Sequence, residues 1–380
     1  QTTTGNISVS GFTDLYVTGG TYNPITDIAT FTNISGGTFT VSGFTQGALP
    51  AGVNEDVQFN DNGYFGAASL KYRPSTSSSW NRGTNSIATN TVFGEDAMRN
   101  TTGSGNTVYG YQSYYTSGST GGYNTVIGYK NLYSNTSGSY NTSIGYQNLY
   151  SNTSGSGNTS VGYQSLYNNT TGNDNSSFGK YSLSANTTGS NNIAIGSSSL
   201  LANTTGGTNV AVGYQSLNKS NSNYNIGIGN QSLFSLSNTS SNNNIAIGSQ
   251  SLYSWNDNSN GSLVAVGYQA GYNLTGSSSG TTIIGGVALS TLTTNSYDNT
   301  IVGLGAAQNV SVPISGNTVI GVYAGNLFSG NNNTLIGRQS GYYLSGDSNT
   351  MISTPQSVMT GNNNIGIGAF DNGFTNVKGL

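Results

Sequence analysis

Acid–base chemistry in this chain would fall to carboxylates, because its 380 residues include no cysteine and no histidine. That removes thiol and imidazole nucleophiles, Ser-His-Asp relays, disulfides and almost every zinc site. Hydrolysis of a glycosidic bond needs two carboxyl groups flanking one sugar linkage. The acids beyond residue 100 are Asp174, Asp257, Asp298, Asp347 and Asp371, spread along the chain without an obvious pair. Glu55/Asp56 and Glu95/Asp96 are sequence neighbours, and in a strand such neighbours point to opposite faces. The expectation is a protein with no catalytic residue, no metal and no cofactor.

Binding chemistry is better represented. Gln112, Gln147, Gln164, Gln215, Gln231, Gln250, Gln269 and Gln339 recur at one place in a repeat, beside tyrosines. Stacked amides hydrogen-bond along a ladder, and amides beside aromatic rings also suit a sugar. Two long repeat units hold Phe234, Tyr253, Trp255 and Asp257. Insertions in a solenoid bulge outward, often on the binding face, so these four residues are the candidate glycan site. The competing reading has Trp255 filling a gap in the core. Asn135, Asn141, Asn152, Asn158, Asn169, Asn186 and Asn203 each open an Asn-X-Ser/Thr sequon, the acceptor for N-glycosylation in a secreted eukaryotic protein.

These residues are positioned by a repeat. Glycines following one or two apolar residues recur at Gly94, Gly110, Gly128, Gly145, Gly162, Gly179, Gly196, Gly213 and Gly229, and onward to Gly368. The spacing is 17 residues at every step from Gly128 to Gly213, and 15–19 elsewhere. Before each glycine the chain alternates, as in "NIAIG" and "NVAVG", and period two means strand. Ile127, Ile144, Val161, Ile195 and Val212 immediately precede their glycines. Leu132, Leu149 and Leu166 follow four residues after, and Tyr129, Tyr146 and Tyr163 one after. "NTTG" and "NTSG" between units are turn chemistry. A segment such as "YQNLY" reads as the start of a second strand. A helical repeat would reject so much glycine. Stacking such coils gives an all-β parallel solenoid, or β-roll, of about 17 coils.

Charged residues make up 6% of the chain, against about 25% in an ordinary domain. A net charge of −3 and nine scattered cations argue against nucleic acid, and no apolar run reaches the roughly 20 residues of a membrane helix. The absence of cysteine suits an extracellular particle. Each coil offers about three apolar side chains. Burying one contributes roughly 1.5–3 kcal/mol, while ordering each residue costs about 1–2 kcal/mol. One of two tyrosine rows is expected to fill the coil and the other to bury against a neighbouring chain. The expected assembly is a homo-oligomer, a trimer.

"NNIAIGSSSLLANTTGGTNVAVGYQSL" (Asn191–Leu217) resembles the head repeats of trimeric autotransporter adhesins. "NTSIGYQNLYSNTSGSGNTSVGYQSLY" (Asn141–Tyr167) is similar to repeats of phage tail-fibre proteins. The resemblance runs from about Asn90 to Phe370. It implies a left-handed parallel β-roll built from three chains. "DLYVTGGTYNPITDIATFTNISGGTFTVSGF" (Asp14–Phe44) and "EDVQFNDNGYFGAASLKY" (Glu55–Tyr72) are similar to modules that precede such repeats in tail fibres. The resemblance therefore implies a fibre protein on a virion or extracellular surface. Its partners would be host-surface polysaccharide and, through the N-terminal domain, other virion or fibre proteins. A bacterial adhesin or filament subunit is the alternative, and a carboxylate-based glycan hydrolase a third.

The expected organisation is a β-rich N-terminal attachment domain over 1–72 and a Ser/Thr-rich link over 73–89. The solenoid follows over 90–370, then a tail over 371–380. Within the first domain, strands are expected at Ile7–Phe12 and in "DLYVTGG", "IATFTN" and "GTFTVSGF", with a hairpin corner at Gly36–Gly37.

Overall fold

The computed structural model of the chain describes residues 17–23, 28–33, 38–42, 90–98, 101–256, 262–352 and 360–368. The chain forms two compact units, Gln1–Ala67 and Ala68–Leu380. The expected link and tail, the strand at Ile7–Phe12 and the corner at Gly36–Gly37 lie outside the described residues.

In the first unit, three antiparallel strands follow one another: Val17–Asn23, Ile28–Asn33 and Thr38–Ser42. The first pairing slips between Val17 and Gly19. Such an irregularity increases the local twist of a sheet.

The second unit is a parallel β-solenoid. Seventeen short strands, from Thr91–Phe93 to Ile365–Ile367, form one ladder in which each pairs with the strand one coil along. At about 4.8 Å per coil the ladder is on the order of 80 Å long. Pairing joins equivalent residues even where coil length changes: Ile226 meets Ile245, and Thr334 meets Thr350.

The second residue of each ladder strand points inward. Val126, Ala194, Ala211, Ile283, Val319 and Met351 are buried, and their flanking residues face out. The leucine row closes the core from the other side; Leu132, Leu149, Leu166, Leu183, Leu200 and Leu217 are fully buried. The outward residues before the glycines form an exposed apolar row, with Ile127, Ile195 and Ile284 each about two-fifths exposed.

The "YQNLY" segment is not a second strand. Gln147 and Leu149 both have left-handed backbones, with φ of 52° and 50°, and the same pair of angles recurs at Gln164 and Leu166. Left-handed backbone costs a non-glycine residue about 1–2 kcal/mol. Two things offset it. Gln147 donates its amide N–H back to Tyr129 of the preceding coil (2.9 Å), and Leu149 donates forward to Ser165 (3.1 Å). Leu149 also buries its whole side chain. Among the described residues of the solenoid a second sheet forms late and briefly, where Ser296–Tyr297 pairs with Ile314–Ser315.

Asparagine does much of the remaining work. Asn124, Asn141, Asn158, Asn175, Asn192 and Asn209 stand immediately before their strands, fully buried or nearly so. Each carboxamide oxygen accepts the next coil's asparagine backbone N–H at 2.9–3.0 Å, as from Asn141 to Asn158 and Asn175 to Asn192. The Nδ2 of Asn158 donates to Asn141 Oδ1 (3.2 Å) and to the Gly172 carbonyl (2.9 Å). Buried backbone groups at the corner are thereby satisfied without a helix or a second sheet.

Candidate binding surface

The strand delivers the chain to the glycine, and the glycine starts a sharp outward corner. Gly145 has φ of 133°, and a Cβ there would collide with the Gly162 carbonyl oxygen one coil along. No other residue type fits both constraints. The side chains after the corner form ladders of their own.

Tyr111, Tyr129, Tyr146 and Tyr163 stack along the axis with ring centroids 5.0–5.4 Å apart. Tyr115, Tyr133, Tyr150 and Tyr167 stack in a second column at 4.8–5.1 Å. Neither column lies inside the coil, contrary to expectation. Tyr129, Tyr146 and Tyr163 are each about two-fifths exposed. The interior behind these columns is filled by leucine, serine and asparagine side chains; the phenol ring that does lie inside, Tyr114, takes the leucine place of its coil and bonds Ser119 and the Gly121 carbonyl.

The glutamine row forms the expected amide ladder. Gln164 donates to Gln147 (2.8 Å), Gln231 to Gln215 (2.9 Å) and Gln269 to Gln250 (2.9 Å). Lys130 occupies the glutamine place in its coil, and its Nζ lies 5.3 Å from the Tyr129 ring centroid and 6.0 Å from that of Tyr133. The glutamine row therefore runs between the two tyrosine columns.

Of the four residues singled out as a glycan site, Phe234, Tyr253 and Trp255 are described, and they do not share one surface. Phe234, Tyr253 and Tyr272 stack in a column of their own at 5.1 Å. Trp255 is fully buried, and its ring is no surface platform for a sugar; the gap-filling reading is the one the structure bears out. Asp257 lies outside the described residues. The described acids beyond residue 100 stay apart. Asp298 and Asp347, just before the strands at Thr300 and Thr350, are three coils or about 14 Å apart. Asp174 and Asp298, before Ser176 and Thr300, are seven coils apart along the ladder. That is on the order of 34 Å at 4.8 Å per coil, against about 5–9.5 Å for a glycosidase pair. Among the described residues no group of three or more acids could hold a metal ion, and no helix is long and apolar enough to cross a membrane.

The sequons have a structural role that sequence reading misses. All seven asparagines are fully buried. Asn152 Nδ2 donates to Asn135 Oδ1 and to the Gly155 carbonyl, both at 2.9 Å. A glycan on that nitrogen is incompatible with the folded coil. The signal was available: these asparagines keep a fixed distance from the leucine row, as core residues do.

Comparison with protein-family models, with curated proteins and with solved structures finds no match for this chain.

Proposed function

We propose that the chain is the structural subunit of a virion fibre: a homotrimeric rod that carries a glycan-binding surface to the host. The N-terminal unit attaches it to other virion or fibre proteins. The observation that carries this reading is the uncovered sheet face. One apolar side chain per coil stands outside the ladder, including Phe93, Ile195, Ile247, Ile284 and Ile352, each about two-fifths exposed. Exposed apolar patches of this extent mark interaction surfaces. A partner for such a row must present matching groups at the same coil spacing over the same length. Another copy of the chain does so by construction.

Sedimentation velocity tests the assembly. The wild-type chain is expected to sediment as a trimer and Ile195→Lys/Ile228→Lys as a monomer with its coils intact, because both side chains point away from the core. A monomeric wild type overturns the assembly, as does a variant that still trimerises at wild-type strength. Antibody labelling of purified particles tests the location, with signal along a fibre as the expected result.

A further inference from the structure

The two tyrosine columns and the glutamine ladder between them form a track parallel to the axis, and its chemistry is specific. Neighbouring rings in the columns lie within 3–17° of parallel. Their faces are taken up by one another, so ring edges and hydroxyls are what the columns offer. This surface suits hydrogen bonding, not stacking of a planar ligand. Each glutamine amide has two N–H donors and two acceptor lone pairs. Between the tyrosine columns the ladder is the single bond from Gln164 to Gln147, which leaves Gln164 one N–H and Gln147 both, with acceptor lone pairs on each oxygen. Donors and acceptors therefore recur in these two successive coils, with Lys130 at the glutamine place in the coil before them and Tyr181 in the coil after.

Charge sorts onto the same track. From residue 101 to residue 256 the chain has four charged side chains: Lys130, Asp174, Lys180 and Lys219. All three lysines follow the glycine corner and sit over aromatic rings. Lys130 lies between the columns, Lys180 is 5.9 Å from the Tyr163 centroid and 5.1 Å from that of Tyr181, and Lys219 is 5.0 Å from that of Phe234. Asp174 lies at the other end of the strand, just before Asn175. A cation in a chain so poor in charge is a selective feature; Lys130 and Lys180 stand on the track, and Lys219 lies beyond it at the Phe234 column.

We propose that this track binds an extended, linear acidic polysaccharide lying along the axis with one sugar per coil. Sugar hydroxyls donate to and accept from the amides of Gln147 and Gln164 and the flanking phenols. Carboxylates on the chain meet Lys130 and Lys180, which stand three coils apart. An extended pyranose chain advances by about the coil rise per sugar, so contacts made in one coil are repeated in the next without strain. The inference rests on the reading of the chain as a glycan-presenting rod and names the glycan class.

The test is calorimetric titration of the full chain with a hexameric oligogalacturonate, beside the same hexamer with its carboxyl groups reduced to alcohols. The acidic hexamer is expected to bind, more weakly as salt is raised, and the neutral one to bind at least several-fold more weakly. Lys130→Gln/Lys180→Gln is expected to lose about tenfold in affinity, the sum of two exposed ionic contacts, with its sedimentation unchanged. Equal binding of the two hexamers overturns the proposal, and so does a double variant that binds like the wild type. Adsorption of the wild-type chain to intact host surface is measured in parallel. If the chain adsorbs but ignores the acidic hexamer, the track assignment fails and the rod reading stands. If it does neither, both fail.

Discussion

Seven residues after the anchoring glycine, two regions of the solenoid make opposite choices. From Gly128 to Gly196 the place is held by Asn135, Asn152, Asn169, Asn186 and Asn203. From Gly229 onward it is held by Leu236, Trp255, Leu274, Leu292, Val310, Phe328 and Leu344. Both sets are buried. In the first, each Nδ2 donates to a glycine carbonyl in its own turn, and from Asn152 onward also to the Oδ1 one coil back at 2.7–2.9 Å. In the second, the side chains only pack. The coil lengths follow the choice: every step is 17 residues where the amides stack, and 16–19 where the column is apolar. Hydrogen bonds tolerate a few tenths of an ångström, so an amide column fixes coil length. Apolar contact is non-directional and lets loops lengthen. The asparagines before the strands are the exception. Their column survives steps of 15 to 19 residues, from Asn349 to Asn364 and Asn225 to Asn244, because the strand beside them sets the register and the loop absorbs the difference.

The comparison is broken most severely at Trp255. As a member of the apolar column, Trp255→Ala should cost about 3–5 kcal/mol, read as lost hydrogen-exchange protection in the flanking coils. The Trp255 Nε1 has no hydrogen-bond partner among the described residues, so Trp255→Phe should cost under about 1.5 kcal/mol. A Trp255→Ala chain as protected as the wild type would remove the column.

Next in size is a charge placed in the amide column. Asn169 donates to Asn152 Oδ1 (2.8 Å) and to the Gly172 carbonyl (3.0 Å), and accepts from Asn186 Nδ2 (2.7 Å). In Asn169→Asp a carboxylate oxygen would face two acceptors in a buried site. Both burial and those acceptors disfavour ionisation, so the folded-state pKa lies above the unfolded value of about 3.9. Below that pH the variant should approach the wild type, because a protonated carboxyl still donates one bond. As pH rises through the folded value it should lose about 2–4 kcal/mol, the cost of leaving buried polar groups unpaired. Exchange protection of coils 152–186 measured across pH checks the sign. Protection that is flat, or that rises with pH, contradicts the amide column.

Much of this fold is legible in the sequence, and the failures share a cause. Alternation before the glycines marks the strands, and the leucine spacing marks the second wall of the core. "YQNLY" misleads because tyrosine and leucine favour strands on average, whereas left-handed angles at Gln147 and Leu149 are set by contacts between coils. Periodicity within one coil carries no sign of those contacts. The asparagines look like turn residues by type, yet their fixed offset from the glycine is that of core residues. Trp255 looks like an exposed insertion because its coil is long; counted from Gly248, it falls on the column shared with Leu236 and Leu274. For the candidate site, the glutamine ladder is readable from spacing. The track is not, because the placement of the tyrosine columns on either side depends on the path of the corner.

The smallest effects belong to the tyrosine columns, which run over four successive coils in the first region. A stacked ring contributes about 0.5–1.5 kcal/mol beyond its area, and these rings are part-exposed, so Tyr146→Leu should cost toward the lower end of that range. Proton linkage gives a finer measure. Partial burial raises the Tyr133 phenol above its ordinary value, with the Tyr150 and Tyr115 phenols adding to the rise and Lys130 opposing it. Desolvation, then Tyr181, raises Tyr163. A group with a raised folded pKa contributes stability that is complete below the unfolded value of about 10 and is lost as pH climbs through the folded one. Alkaline solution should therefore loosen the coils between Tyr111 and Tyr167 before those between Thr282 and Met351, where no such column stands. Near-ultraviolet phenolate absorbance followed with exchange protection checks it. Simultaneous loss in both regions would mean that the columns add nothing local, and that the amides beneath them hold the first region alone.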